Sequence, residues 1–142
     1  MPLTKSKRNA DGTYGPTDVR KEFYISKPDH RKTARRKKEK TRWVIQEGEE
    51  YGVFHPINNN YELWFCNVNN CLFGMVEWGK VVLGENGERI AKFPNDRQPG
   101  EPWHGYPVFT DAIQNRPSVE LLKKVEGTMP LHVRVKIEKG TL

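Results

Sequence analysis

The first 42 residues carry 14 Lys or Arg against five acids, a net of +9, and hold only six large apolar side chains: Leu3, Tyr14, Val19, Phe23, Tyr24 and Ile25. Burying six side chains does not repay the entropy of ordering 42 residues, so this stretch reads as an arm and not as a folding unit. The core has to come from residues 43–142. There ten bases face 13 acids, a net of −3, and the two parts of the chain are different materials.

Length bounds the rest. With 142 residues the chain is one domain's worth, too short for a multidomain enzyme. It has no apolar run near the ~18 residues that a membrane span needs, and its two cysteines are too few for a disulfide scaffold. The opening Met1–Asn9 has charge but no apolar stretch behind it, unlike a secretory leader, so a cytoplasmic location is expected.

Within the arm, Asp29 after Pro28 is placed to cap a helix over the basic run from His30 to Lys40. Like charges four apart, as at Arg31 and Arg35, oppose that helix, which would need an anionic partner. Val19–Ile25, with its adjacent aromatic residues, suits a strand or an anchor that docks on the body.

Past Trp43 the pattern becomes short runs of aromatic and β-branched residues. Trp43–Gln46, Tyr51–Phe54, Tyr61–Cys66 and Cys71–Trp78 read as strands, the last two separated by the Asn67–Asn70 turn. Lys80–Glu85 and Glu88–Phe93 flank Asn86-Gly87, whose tolerance of positive φ predicts a type I′ hairpin with Leu83 opposite Ile90. Four prolines and two glycines make residues 94–108 a long loop. Ser118 caps a helix running to Val125, with Lys123 and Lys124 at its negative end. Leu131, Val133, Val135 and Ile137 alternate with polar residues, the signature of a strand with one wet face. The fold class expected is α+β: a mostly antiparallel, strand-rich small domain, a partly open barrel being one arrangement, with one helix in its C-terminal half.

Three functional classes compete. The dense cations of residues 27–42 suit the phosphate backbone of RNA or DNA, with Arg31, Lys32, Arg35, Arg36, Lys37, Lys38, Lys40 and Arg42 as contacts and affinity that falls with salt. Trp64, Trp103 and Tyr106 are the rings placed to stack a base. A small nuclease or toxin-like enzyme would centre on His104, in the Pro- and Gly-shaped loop. His55 or His132 would be its second proton-transfer group, and Arg97 would stabilise phosphate charge. The bland alternative for that loop is structural: Trp103 and Tyr106 plug one end of the sheet. A third class is a protein-interaction or inhibitor module whose basic arm and acidic body grip different partners. Cys66 and Cys71 have a spacing that zinc accepts, but no second ligand pair accompanies them, so buried free thiols are expected and no metal or other cofactor is assigned. Phosphate-loop, dinucleotide-glycine and serine-elbow signatures are missing from the sequence. The Trp103–Tyr106 loop is expected to lie over a sheet end beside the Ser118–Val125 helix and to form the main concavity.

Overall fold

The computed structural model describes residues 6–27 and 41–142. The fold is α+β: four antiparallel strands form one sheet in the order β1-β2-β3-β4, not closed into a barrel. They are β1 (Phe65–Cys66), β2 (Cys71–Met75), β3 (Ile90–Pro94) and β4 (Tyr106–Val108). The helices are α1 (Glu47–Asn59), α2 (Tyr61–Trp64), α3 (Val119–Val125) and α4 (Leu131–Glu138). Among the described residues no helix is long and apolar enough to cross a membrane.

Alternation along the strands divides the core into two layers, one on each face of the sheet. Leu72, Ala91 and Phe93 point to a cluster that contains Tyr51, Val53, Phe54 and Ile57 of α1 together with Tyr14, Tyr24, Trp43 and Trp103. Cys71, Phe73, Ile90 and Val108 point the other way, onto Leu121, Leu122 and Val125 of α3 and Val133 and Ile137 of α4. Each face carries a buried apolar layer, so the sheet is the middle layer of three. At Gly74 the approach of α1 leaves no slack: a Cβ there would lie 3.0 Å from Ile57 Cδ1 and 3.2 Å from Val53 Cγ1.

The six large apolar residues of the N-terminal stretch are therefore not all solvent-facing. Tyr24 is completely buried and Tyr14 nearly so. The two exchange backbone hydrogen bonds, Tyr14 N to Tyr24 O at 2.8 Å and Tyr24 N to Tyr14 O at 2.9 Å. Tyr24 Oη donates to Glu50 Oε1 at 2.7 Å, and Ser26 Oγ donates to Glu50 Oε2 at 2.8 Å, which gives this buried carboxylate of α1 its partners. The anchor expected in Val19–Ile25 is thus Tyr24. The helix expected over residues 30–40 lies outside the described residues.

Several elements differ from the sequence reading, each for a physical reason. Tyr51–Phe54 is not a strand but the middle of α1, a helix opened by a capping box in which Gln46 N donates to Glu49 Oε1 at 2.9 Å. Trp43–Gln46 contributes only a single bridge, Trp43 to Gly84. Tyr61–Cys66 is split between the short α2 and a two-residue β1. The strand expected at Cys71–Trp78 ends at Met75, because Glu77 and Trp78 take left-handed φ values of 49° and 56°. Leu131–Ile137 is helix α4: Val133 and Ile137, four apart, are buried while Leu131 is exposed. Two helices, not one, therefore occupy the C-terminal half.

A turn does form at Asn86-Gly87, but it is not type I′, Lys80–Glu85 is not a strand, and the register differs from that expected. Gly87 alone has positive φ, at 96°, and its N–H donates to Gly84 O at 3.0 Å, while Leu83 N and Gly84 N both donate to Glu88 O. This is a type I turn with a glycine bulge. Leu83 consequently faces Glu88. Ile90 pairs instead with Met75 and Val108 on its two sides. The Ser118 cap is as expected, its side chain accepting from Leu121 N at 3.2 Å.

Candidate functional site

Residues 95–105 run as a loop held by one cation. Arg97 donates through Nη2 to Glu22 Oε2 at 2.7 Å and through Nη1 to Glu101 O at 3.0 Å, and its guanidinium lies over the Trp103 ring, 4.2 Å from the centroid. Burial pushes the Glu22 carboxyl up. Hydrogen bonds from Asn58 and Arg20, with the charges of Arg20 and Arg97, outweigh that and hold it below the usual carboxylate range. Trp103 is fully buried and packs on Phe54 of α1, with ring centroids 5.9 Å apart. It lies on the α1 face of the sheet, not beside α3 as expected. Arg97 and Trp103 are thus framework residues here.

The same loop holds the chain on both sides of residues 28–40. Ile25 N donates to Trp103 O at 2.8 Å, and Trp103 N donates to Phe23 O at 2.8 Å. Two residues on, Gly105 O accepts the indole Nε1–H of Trp43 at 3.0 Å. Gly105 has to be glycine, since a Cβ would run into the Phe93 ring and lie 2.9 Å from Lys92 O. His104 stands between these two attachments. Phe23 and Ile25 thus bond to Trp103 on one side of this histidine, and Trp43 bonds to Gly105 on the other.

His104 lines a cleft of about 500 Å³ with Lys92, Asp96, Tyr106, Phe109 and Asn115, and Thr41 reaches the same cleft. Its Nε2 is 3.7 Å from Asp96 Oδ1, an ion-pair separation longer than a direct hydrogen bond. Lys92 Nζ donates to Gln114 O at 2.7 Å and Asn115 Oδ1 at 3.3 Å. Burial raises the Tyr106 phenol above its ordinary value, and nearby Cys71 and Asp96 add to the rise, so it stays a neutral donor. An imidazole, an ammonium, a phenol, two carboxylates and two amides around partly exposed Phe109 make a surface able to hydrogen-bond and stack a polar ligand.

His55, His132 and Trp64 fall elsewhere. His55, on α1, stacks on Tyr51 and lies 3.2 Å from Asp18 Oδ2. His132 is exposed on α4. The three histidines thus sit on three elements with different surroundings. Glu101 accepts from Gln98 N and caps the loop; Asp111 lines the cleft. Trp64 packs against Trp78, with centroids 6.0 Å apart. Of the basic contacts, Arg42 is described, and its carbonyl accepts from Glu85 N at 2.9 Å. Arg31, Lys32, Arg35, Arg36, Lys37, Lys38 and Lys40 lie outside the described residues. Lys92, Asp96, Gln114 and Asn115 were not singled out by sequence reasoning, because their meeting with His104 takes both the pairing of β3 with β4 and the bonds of Lys92 to the turn at Ile113–Asn115. Cys66 and Cys71 are register partners, both buried with free thiols, and burial pushes Cys71 up to about 12. Among the described residues no cluster of three His, Cys, Asp or Glu could hold a metal ion. Comparison of the chain with protein-family models, with curated proteins and with solved structures finds no match.

Proposed function

We propose that this protein binds the phosphate backbone of RNA or DNA through residues 27–42, with the His104 cleft as the adjoining surface. The observation that carries the reading is the attachment of the chain on both sides of that segment to the Trp103–Gly105 loop. Nine bases against two acids give residues 27–42 a net of +7. Phosphates gathered by such a segment release counterions, and the cleft that Thr41 lines offers Lys92 and His104 as further contacts. The net of −3 over residues 43–142 disfavours a broad phosphate contact there.

Deleting residues 1–42 is not a clean test, since it removes Tyr14 and Tyr24 from the core. The test is a full-length variant with Arg35, Arg36, Lys37 and Lys38 changed to Gln, titrated with single- and double-stranded oligonucleotides at several salt concentrations. Binding should weaken for all sequences alike, and the slope of log affinity against log salt should become shallower by roughly three. Unchanged affinity and slope, in a variant with unaltered near-ultraviolet circular dichroism, would refute the proposal.

A further inference from the structure

We infer, resting on the phosphate reading above, that the nucleic acid is single-stranded and that the His104 cleft takes one of its unpaired bases, stacked on Phe109. The basic run of residues 27–42 meets this cleft at Thr41, which lines it.

Phe109 is the ring left open to a ligand. Of the rings that the sequence offers for stacking, Trp103 is fully buried and Trp64 packs against Trp78. Phe109 is 40% exposed and lines the cleft, and among the described residues no other ring packs on it. Alternation accounts for the exposure: Val108 before it and Thr110 after it are buried, so Phe109 turns to the other side. Thr110 then fixes the position. Its N–H donates to Leu142 O at 3.2 Å, its hydroxyl accepts from Leu142 N at 3.1 Å, and its carbonyl accepts from Arg116 Nε at 2.9 Å. A ring on backbone held this way loses little freedom when a base lies on it.

The polar lining fits a base edge better than a phosphate. Asp96 and Asp111 repel phosphate, but a carboxylate accepts from the amino group of a base. Asn115 Oδ1 accepts from Lys92 Nζ, which fixes the amide and leaves Nδ2 as a donor for a ring nitrogen or carbonyl. In a duplex both faces of each base are covered by its neighbours, so Phe109 can stack only on an unpaired one.

The full-length protein is titrated by calorimetry, at one salt concentration, with oligodeoxycytidylate, an abasic strand of the same length, a duplex of that length and cytidine monophosphate. Cytosine is the probe because its amino group can donate to a carboxylate. Oligodeoxycytidylate should bind about tenfold more tightly than the abasic strand, which carries the same phosphates. Phe109→Ala should erase that difference and leave the abasic strand and the duplex unchanged. Phe109→Leu keeps the apolar bulk without the aromatic face; it should act in the same way and covers the case in which the alanine variant does not fold. Equal binding of the two single strands, or a preference that both variants retain, would overturn this inference and leave the phosphate reading standing. Cytidine monophosphate binding as tightly as the oligomer would assign the cleft to a free nucleotide and overturn it, and binding of none of the strands would overturn both readings.

Discussion

Arg97 and Glu22, 75 residues apart in sequence, are joined by a 2.7 Å charged hydrogen bond that ties the loop before β4 to the N-terminal stretch. Glu22 also accepts from Asn58 Nδ2 of α1 at 3.0 Å and Arg20 Nε at 2.7 Å, so one carboxylate gathers three parts of the chain. Glu22→Gln should cost about 2 kcal/mol, the range for hydrogen bonds to a charged group. Because folding lowers this pKa, the stabilisation is full above the unfolded carboxylate value and fades as pH falls through the folded one. Urea denaturation of both proteins from neutral to acid pH checks this: the gap between them should close toward acid.

Tyr24→Phe isolates the hydrogen bond that anchors the N-terminal stretch. The ring stays, but the buried Glu50 Oε1 loses the 2.7 Å hydroxyl donor, and stability should drop by about 1–3 kcal/mol. Tyr24→Ala, which also empties a completely buried site, should cost about 3–5 kcal/mol. Chemical denaturation of full-length variants measures both.

Two fully buried tryptophans provide an internal comparison. The Trp43 indole N–H donates to Gly105 O, whereas the buried Trp103 N–H has no hydrogen-bond partner among the described residues. Phenylalanine leaves a similar void at either position. Trp43→Phe should therefore be worse than Trp103→Phe by about 1–2 kcal/mol, since only the first leaves a buried carbonyl unpaired. Thermal denaturation of the two variants decides it.

Burial holds the Cys71 thiol at about 12, so the thiolate that alkylating reagents require is scarce at neutral pH. Native protein at pH 8 should resist iodoacetamide at Cys66 and Cys71 and take up two labels once unfolded in urea, as read by intact mass.

What was legible in the sequence was composition and caps; what was not was the choice of period. At Ser118 the cap, the acidic first turn and the basic last turn agree, and α3 forms where they put it. Residues 131–137 fit a period of two and of four at once, and only the α3 side of the sheet, which needs cover, decides for the helix that buries Val133 and Ile137. In α1 the β-propensity of Tyr51, Val53 and Phe54 masked a stripe at Glu50, Val53, Phe54, Ile57 and Asn58, spaced by three and four; the acids at Glu47, Glu49 and Glu50 were its local signal. At the candidate cleft, His104 and Tyr106 were visible in sequence. Lys92, Asp96 and Asn115 were not, because strand register is a long-range choice made by the packed faces.

The attachments on either side of residues 28–40 also set what a break in the chain there would do. Tyr14 and Tyr24 before it, and Trp43 after it, belong to one buried cluster. Trypsin acting on that lysine- and arginine-rich stretch would sever the covalent chain without dividing the core. The piece containing residues 6–27 would remain seated as a noncovalent subunit, and the nicked molecule would elute whole from a sizing column and separate only in denaturant.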